Sequence, residues 1–90
     1  LQPSDVSLKQ NYPNPFNPET VISFAVPQKS FVSLKIYNAL GVEMTALINE
    51  EIKSGYYNYK WNGQNFPSGI YYYKMTAGEF NETRKMILVK

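Results

Sequence analysis

The sequence predicts an all-β fold, an antiparallel β-sandwich of about seven short strands. Three observations lead there. In one segment after another, apolar residues recur at every second position, the period of a strand with one face buried. Aromatic residues are abundant, with 8 tyrosines, 5 phenylalanines and one tryptophan, and with β-branched residues they suit pleated, half-buried surfaces. Six prolines and five glycines cut the chain into pieces, and none of the pieces carries helical spacing between caps. At 90 residues there is room for one domain with one modest core.

Residues 1–7 carry no period and read as a tether, with the folded domain at 8–90. Leu8, Gln10 and Tyr12 alternate as a short edge strand. In residues 11–20, Pro13, Pro15 and Pro18 each fix their own φ and push the preceding residue out of the helical region. The path there is extended and irregular, with asparagines closing local turns. Phe16 is the only large apolar side chain among the prolines, so it is expected to plug one end of the core. Residues 20–26 place Ile22, Phe24 and Val26 on one face and stop at Pro27. Residues 31–37 alternate again, with Val32, Leu34 and Ile36 inward.

Gly41 sits in the following turn, where a positive φ is expected. Residues 42–48 read as a fourth strand. Met44 and Leu47 cannot share a strand face, so a bulge or a break is expected near Thr45. The polar stretch 49–54 leads to Gly55, after which Tyr57, Tyr59 and Trp61 alternate with Asn58 and Lys60. Trp61 is expected at the centre of the core. A loop from Asn62 to Gly69 precedes a strand at 70–76, with Tyr71, Tyr73 and Met75 opposing Ile70, Tyr72 and Lys74. A hairpin turn at 77–81 leads to the last strand, 82–90. Its run of Met86, Ile87, Leu88 and Val89 predicts burial on both faces. Turn signals every ~8–12 residues are those of an immunoglobulin-like sandwich, and a small barrel would share the pattern.

Composition narrows the function. Nine basic residues against seven acids leave a net charge of +2, too little for a nucleic-acid groove or an anionic membrane surface. There is no cysteine and no histidine, which removes thiolate chemistry, disulfides and the commonest general base and metal ligand. Asp5 is the only aspartate. Glu50 and Glu51 are adjacent and point to opposite faces of a strand. No cofactor, metal or catalytic residue is expected, and no apolar run approaches the ~20 residues of a membrane helix. Asn81-Glu82-Thr83 matches a glycosylation sequon but reads as part of a turn.

Two surfaces remain. Exposed tyrosines, Tyr56 and Tyr72 among them, could stack on sugar rings, although tyrosines also fill inner faces and pair across strands. The last strand, flanked by Arg84, Lys85 and Lys90, is either an edge protected by charge or a strand offered to a partner.

Several segments together resemble a known family. They are residues 11–18 (Asn-Tyr-Pro-Asn-Pro-Phe-Asn-Pro), Thr20 to Phe24, Val26-Pro27, Val32 to Asn38 with Gly41, Gly55, Trp61-Asn62-Gly63, Pro67 to Tyr71, and the ending Lys85-Met86-Ile87-Leu88-Val89-Lys90. The chain resembles the C-terminal sorting domain (type A) of proteins exported by the bacterial type IX secretion system. It is also similar to the immunoglobulin-like domain of the flagellar hook-capping protein. The first resemblance implies a non-catalytic address at the end of a larger secreted cargo. It implies a route through the periplasm of a Gram-negative bacterium to the cell surface or medium. The partners it implies are the outer-membrane type IX translocon and its sortase. Carried over by position, the recognition residues are Gly69, Tyr71, Lys85, Met86, Leu88 and Lys90, with Met86 and Leu88 taken by a groove or the strand captured by strand addition. Any cleavage is expected near the N-terminal tether. The rival readings are a carbohydrate-binding module that uses the tyrosine face and a structural spacer of a secreted enzyme.

Overall fold

A computed structural model describes residues 2–90. Among these residues there are seven strands and no helix. They are β1 (Ser7–Leu8), β2 (Glu19–Val26), β3 (Ser30–Asn38), β4 (Glu43–Ile52), β5 (Gly55–Asn62), β6 (Gly69–Ala77) and β7 (Phe80–Leu88). Two sheets form, one ordered β1-β2-β5 and the other β4-β3-β6-β7. Every strand pair is antiparallel. The result is an immunoglobulin-like sandwich, not a closed barrel.

The alternation in the sequence sets the inner faces. Ile22, Phe24 and Val26 from one sheet meet Val32, Leu34, Ile36, Tyr71, Tyr73, Met75, Met86 and Leu88 from the other. Tyr57 and Tyr59 pack at the margin of this core, and the Tyr57 ring stacks on Phe24 at 5.2 Å. Trp61 belongs to the core cluster but lies toward one end, where its ring meets Phe16, Phe66 and Tyr71. Phe16 is buried and plugs that end, as its isolation among prolines predicts.

The structure refines or corrects the sequence reading in several further places. β4 continues to Ile52 through the polar stretch. It is an edge strand whose side chains are mostly exposed, so polar residues cost little there. The expected irregularity near Thr45 is two bulges: Leu47 is skipped between the Leu34–Ile48 and Lys35–Ala46 pairs, and Met44 between the Ile36–Thr45 and Tyr37–Glu43 pairs. The β6–β7 turn is shorter than expected, because Ala77 already pairs with Phe80 and Asn81 lies within the strand.

A further correction concerns β7. This strand is an edge, not a strand covered on both faces. Met86 and Leu88 point inward, while Lys85 is exposed and Ile87 half-buried on the outer face. Four apolar residues in a row suggested double burial. The side chains alternate all the same, and among the described residues no second layer lies outside the sheet.

At the N-terminal end, Leu1 of the expected tether lies outside the described residues. Pro3 is buried, Val6 packs against the core, and Ser7 already pairs with Ala25.

Candidate sorting surface

The N-terminal segment changes sheets. Residues 7–12 run antiparallel to β2: Lys9 N–H donates to the Ser23 carbonyl at 2.9 Å, and Tyr12 and Val21 exchange two backbone bonds. The prolines then carry the chain across the end of the sandwich to β7. Phe16 N–H donates to the Ile87 carbonyl and Val89 N–H to the Phe16 carbonyl, both at 2.9 Å, as a parallel bridge. Asn14 Oδ1 accepts from Ile87 N–H at 2.9 Å. Gln10 Nε2 donates to the Lys85 carbonyl at 2.7 Å. Arg84 Nε donates to the Leu8 carbonyl at 2.9 Å, and its guanidinium pairs with Glu82 at 2.6 Å. Residues 8–16 therefore form a strap along the C-terminal half of the β7 edge. This strap occupies the backbone groups that strand addition at Ile87 and Val89 would use.

A buried polar knot anchors the strap. The Tyr73 hydroxyl, fully buried in side-chain terms, donates to the Lys9 carbonyl and accepts from Asn11 N–H, each at 2.7 Å. The Asn11 side chain donates to Thr20 Oγ1 at 2.9 Å and to the Pro13 carbonyl at 3.2 Å, and Thr20 Oγ1 also donates to the Pro13 carbonyl. Every buried polar side-chain atom among the described residues has a partner, as buried polar groups require. Burial pushes the Tyr73 phenol up to about 12; the Asn11 bond and the Arg84 charge pull it back in part, and Glu82 adds to the rise.

The residues carried over from the resemblance converge at one end of the β6–β7 ladder. Gly69 pairs with Leu88, Tyr71 with Met86, and Tyr72 with Lys85. They do not share one surface. Tyr71, Met86 and Leu88 are buried, with Met86 at 0% and Leu88 at 1% exposure. A groove on a partner cannot take these two side chains from the folded sandwich. Lys85 and Lys90 are exposed.

Tyr71 has a structural task. Its hydroxyl donates to the Pro67 carbonyl at 2.6 Å, the tyrosine corner of immunoglobulin-like sandwiches. Burial raises its phenol pKa. Gly69, at φ 153°, opens that corner in a region that favours glycine. After β7, Lys90 N–H donates to Ser68 Oγ at 3.0 Å and its ammonium group to the Gln64 carbonyl. The C-terminal residue thus lies along the corner loop. Rings close this end of the core: Trp61 lies 5.4 Å from Phe66 and 6.4 Å from Tyr71, both edge-on.

Tyr56 and Tyr72 do not form one stacking platform. Tyr56 lies on the outer face of the three-stranded sheet, beside Ser7, Lys9 and Asn58. Tyr72 lies on the outer face of the four-stranded sheet, beside Tyr37 and Lys85. The sandwich separates them. Sequence reasoning missed the strap and its anchors, Gln10, Asn11, Asn14 and Tyr73. Their signal was the excess of side-chain amides among the prolines, which is more than local turns need.

The model of one protein family, the Secretion system C-terminal sorting domain, matches residues 10–90. The chain belongs to this family. Sorting domains of this kind are C-terminal signals for type IX secretion, so the family places the chain among proteins exported to the cell surface or medium. No curated protein and no solved structure is significantly similar to it. The match begins at Gln10 and so includes residues 10–16 of the strap, the tyrosine corner and β7.

Proposed function

We propose that the chain is a non-catalytic address that directs an upstream cargo through the type IX translocon of the outer membrane of a Gram-negative bacterium, after folding in the periplasm. A surface sortase then acts on the exported cargo near the N-terminal boundary of the sandwich. The observation that carries this reading is the family match over residues 10–90.

The geometry makes the mechanism more specific. Exposed Lys85 and Lys90 are the groups a receptor can touch. Gly69, Tyr71, Met86 and Leu88 act by shaping the end of the fold that holds those lysines. Recognition then reads a folded surface, because the strap already pairs with the β7 edge at Ile87 and Val89. A sugar-binding role gains no support from Tyr56 and Tyr72, which face opposite ways.

A reporter enzyme with a signal peptide, fused ahead of this chain, tests the proposal in a bacterium that has the system. The wild-type fusion is expected in the medium or on the cell surface. The double variant Lys85→Ala, Lys90→Ala is expected to stay folded and to lose export several-fold. A wild-type fusion retained in the periplasm would overturn the sorting function. Undiminished export of the double variant would remove the lysines from the recognised surface.

A further inference from the structure

The outer face of the four-stranded sheet is built in rows set by strand register. Ala46, Lys35, Lys74 and Thr83 form one row, and Glu43, Tyr37, Tyr72 and Lys85 the next. Ile70 and Ile87 follow, nearest the C-terminal end. The β3–β4 turn leans over these rows. Gly41 joins Tyr37, Tyr72, Lys74 and Thr83 in lining a shallow concavity of about 250 Å³.

Exposed apolar side chains gather at the same end. Of the eight large hydrophobic residues exposed on the described chain, Leu40, Val42, Met44, Ile70 and Val89 lie on the β3–β4 turn and its flank, at the start of β6 or just past β7. The register of β3, β6 and β7 brings these three places together. Concentrated apolar exposure on a small domain marks an interaction site more often than scattered exposure does.

The charges point the same way. Lys35 and Lys74 are direct cross-strand partners, an arrangement that works against the sheet. Glu43, at 3.4 Å, relieves Lys35. No carboxylate among the described residues lies within bonding distance of Lys74 or Lys85. The face therefore offers two unneutralised ammonium groups beside two tyrosine rings and an apolar rim. A partner surface whose apolar groups meet the rings and the rim, and whose carboxylates meet the two lysines, fits it.

We propose that this face, centred on Tyr37, Tyr72 and Lys74 and rimmed by Leu40 and Ile70, docks a folded partner protein whose contact surface sets carboxylates among apolar groups. The inference deepens the sorting reading and rests on it: it locates the receptor contact on the outer sheet face beyond β7 itself. The partner seats an apolar side chain in the concavity over Gly41, and its carboxylates meet Lys74 and Lys85.

The test uses the exported reporter fusion, with variants outside the last strand. Leu40→Asp combined with Lys74→Glu is expected to reduce export at least ten-fold. The melting temperature of the 90-residue chain should not fall, since Leu40 is exposed and Lys74→Glu removes the like-charge pair with Lys35. Lys60→Glu, on the outer face of the other sheet, is expected to export normally. A photo-crosslinker at position 72 should trap a partner segment rich in apolar and acidic residues, and one at position 58 should not.

If the wild-type fusion is exported and Leu40→Asp/Lys74→Glu is exported equally well, the docking face is refuted while the sorting function stands. Sedimentation equilibrium showing a dimer of the chain that Leu40→Asp dissolves would assign the face to a second copy and overturn the proposal. Co-sedimentation with phosphatidylglycerol vesicles, lost in Lys74→Glu, would assign it to a lipid surface and overturn it equally.

Discussion

Tyr73 brings a polar atom deep into the core, and the strap meets it there. One hydroxyl donates to Lys9 and accepts from Asn11, so the N-terminal segment is bound to the middle of the four-stranded sheet. The phenol must stay protonated to donate. Its pKa is about 12 in the fold, against ~10 in an unfolded chain. Below pH 10 both states hold the proton and its contribution to stability is complete. Between 10 and 12 the unfolded state releases the proton first, so stability falls as pH rises. Chemical denaturation across this range should show that alkaline decline, and Tyr73→Phe should make it shallower. The variant should also be less stable at neutral pH, by about 1–3 kcal/mol, because the Lys9 carbonyl and Asn11 N–H lose their partner. An unchanged alkaline slope in Tyr73→Phe would assign the decline to other groups.

The strap is the element that departs most from what its residues predict one at a time. Read singly, the prolines and asparagines of residues 11–18 make an irregular connection. In the fold they perform a second task, protecting an edge strand. β7 is apolar near its end, and an uncovered edge of that kind is an aggregation hazard. Asn14 and Phe16 supply the missing hydrogen bonds with one side chain and one residue of backbone. Asn14→Ala removes only the bond to Ile87 N–H. The amide of Ile87 should then exchange with solvent at least several-fold faster in native-state hydrogen exchange, while the Val89 amide, held by the Phe16 carbonyl, changes less. Equal acceleration at both amides would mean that the strap opens as one unit. β4, on the opposite side of the same sheet, manages its edge with bulges and exposed polar residues. The two edges of one sheet thus use different protections.

At the scale of the whole molecule, Phe16 links the layers. Its backbone bonds to β7 of one sheet, and its ring meets Trp61 of the other at 5.8 Å. Phe16→Ala leaves a cavity at the end of the core and is expected to cost about 3–5 kcal/mol. A domain of this size has a total stability of only ~5–15 kcal/mol. The denaturant midpoint should drop sharply and in one transition, because both sheets lose the same support. A second, separate transition would show that the strap end unfolds apart from the body. Retention of function in export would be informative here too, since a surface read in the folded state should fail in proportion to the unfolded fraction.

The class of fold and most of the strands were legible from the residues alone, because period-two alternation and turn residues are local signals. Ile22, Phe24 and Val26, then Val32, Leu34 and Ile36, announce their buried face without any knowledge of the partner sheet. The isolation of Phe16 among prolines announced its burial. The positive φ at Gly41 was legible in the same way and stands at 85°. What lies beside what followed from the packing of the two sheets. That packing sent Tyr56 and Tyr72 to opposite outer faces, put Met86 and Leu88 out of a partner's reach, and laid residues 8–16 along β7. These are outcomes of strand order and of contacts more than sixty residues apart in sequence, such as Asn11 with Tyr73, and local periodicity carries no information about either.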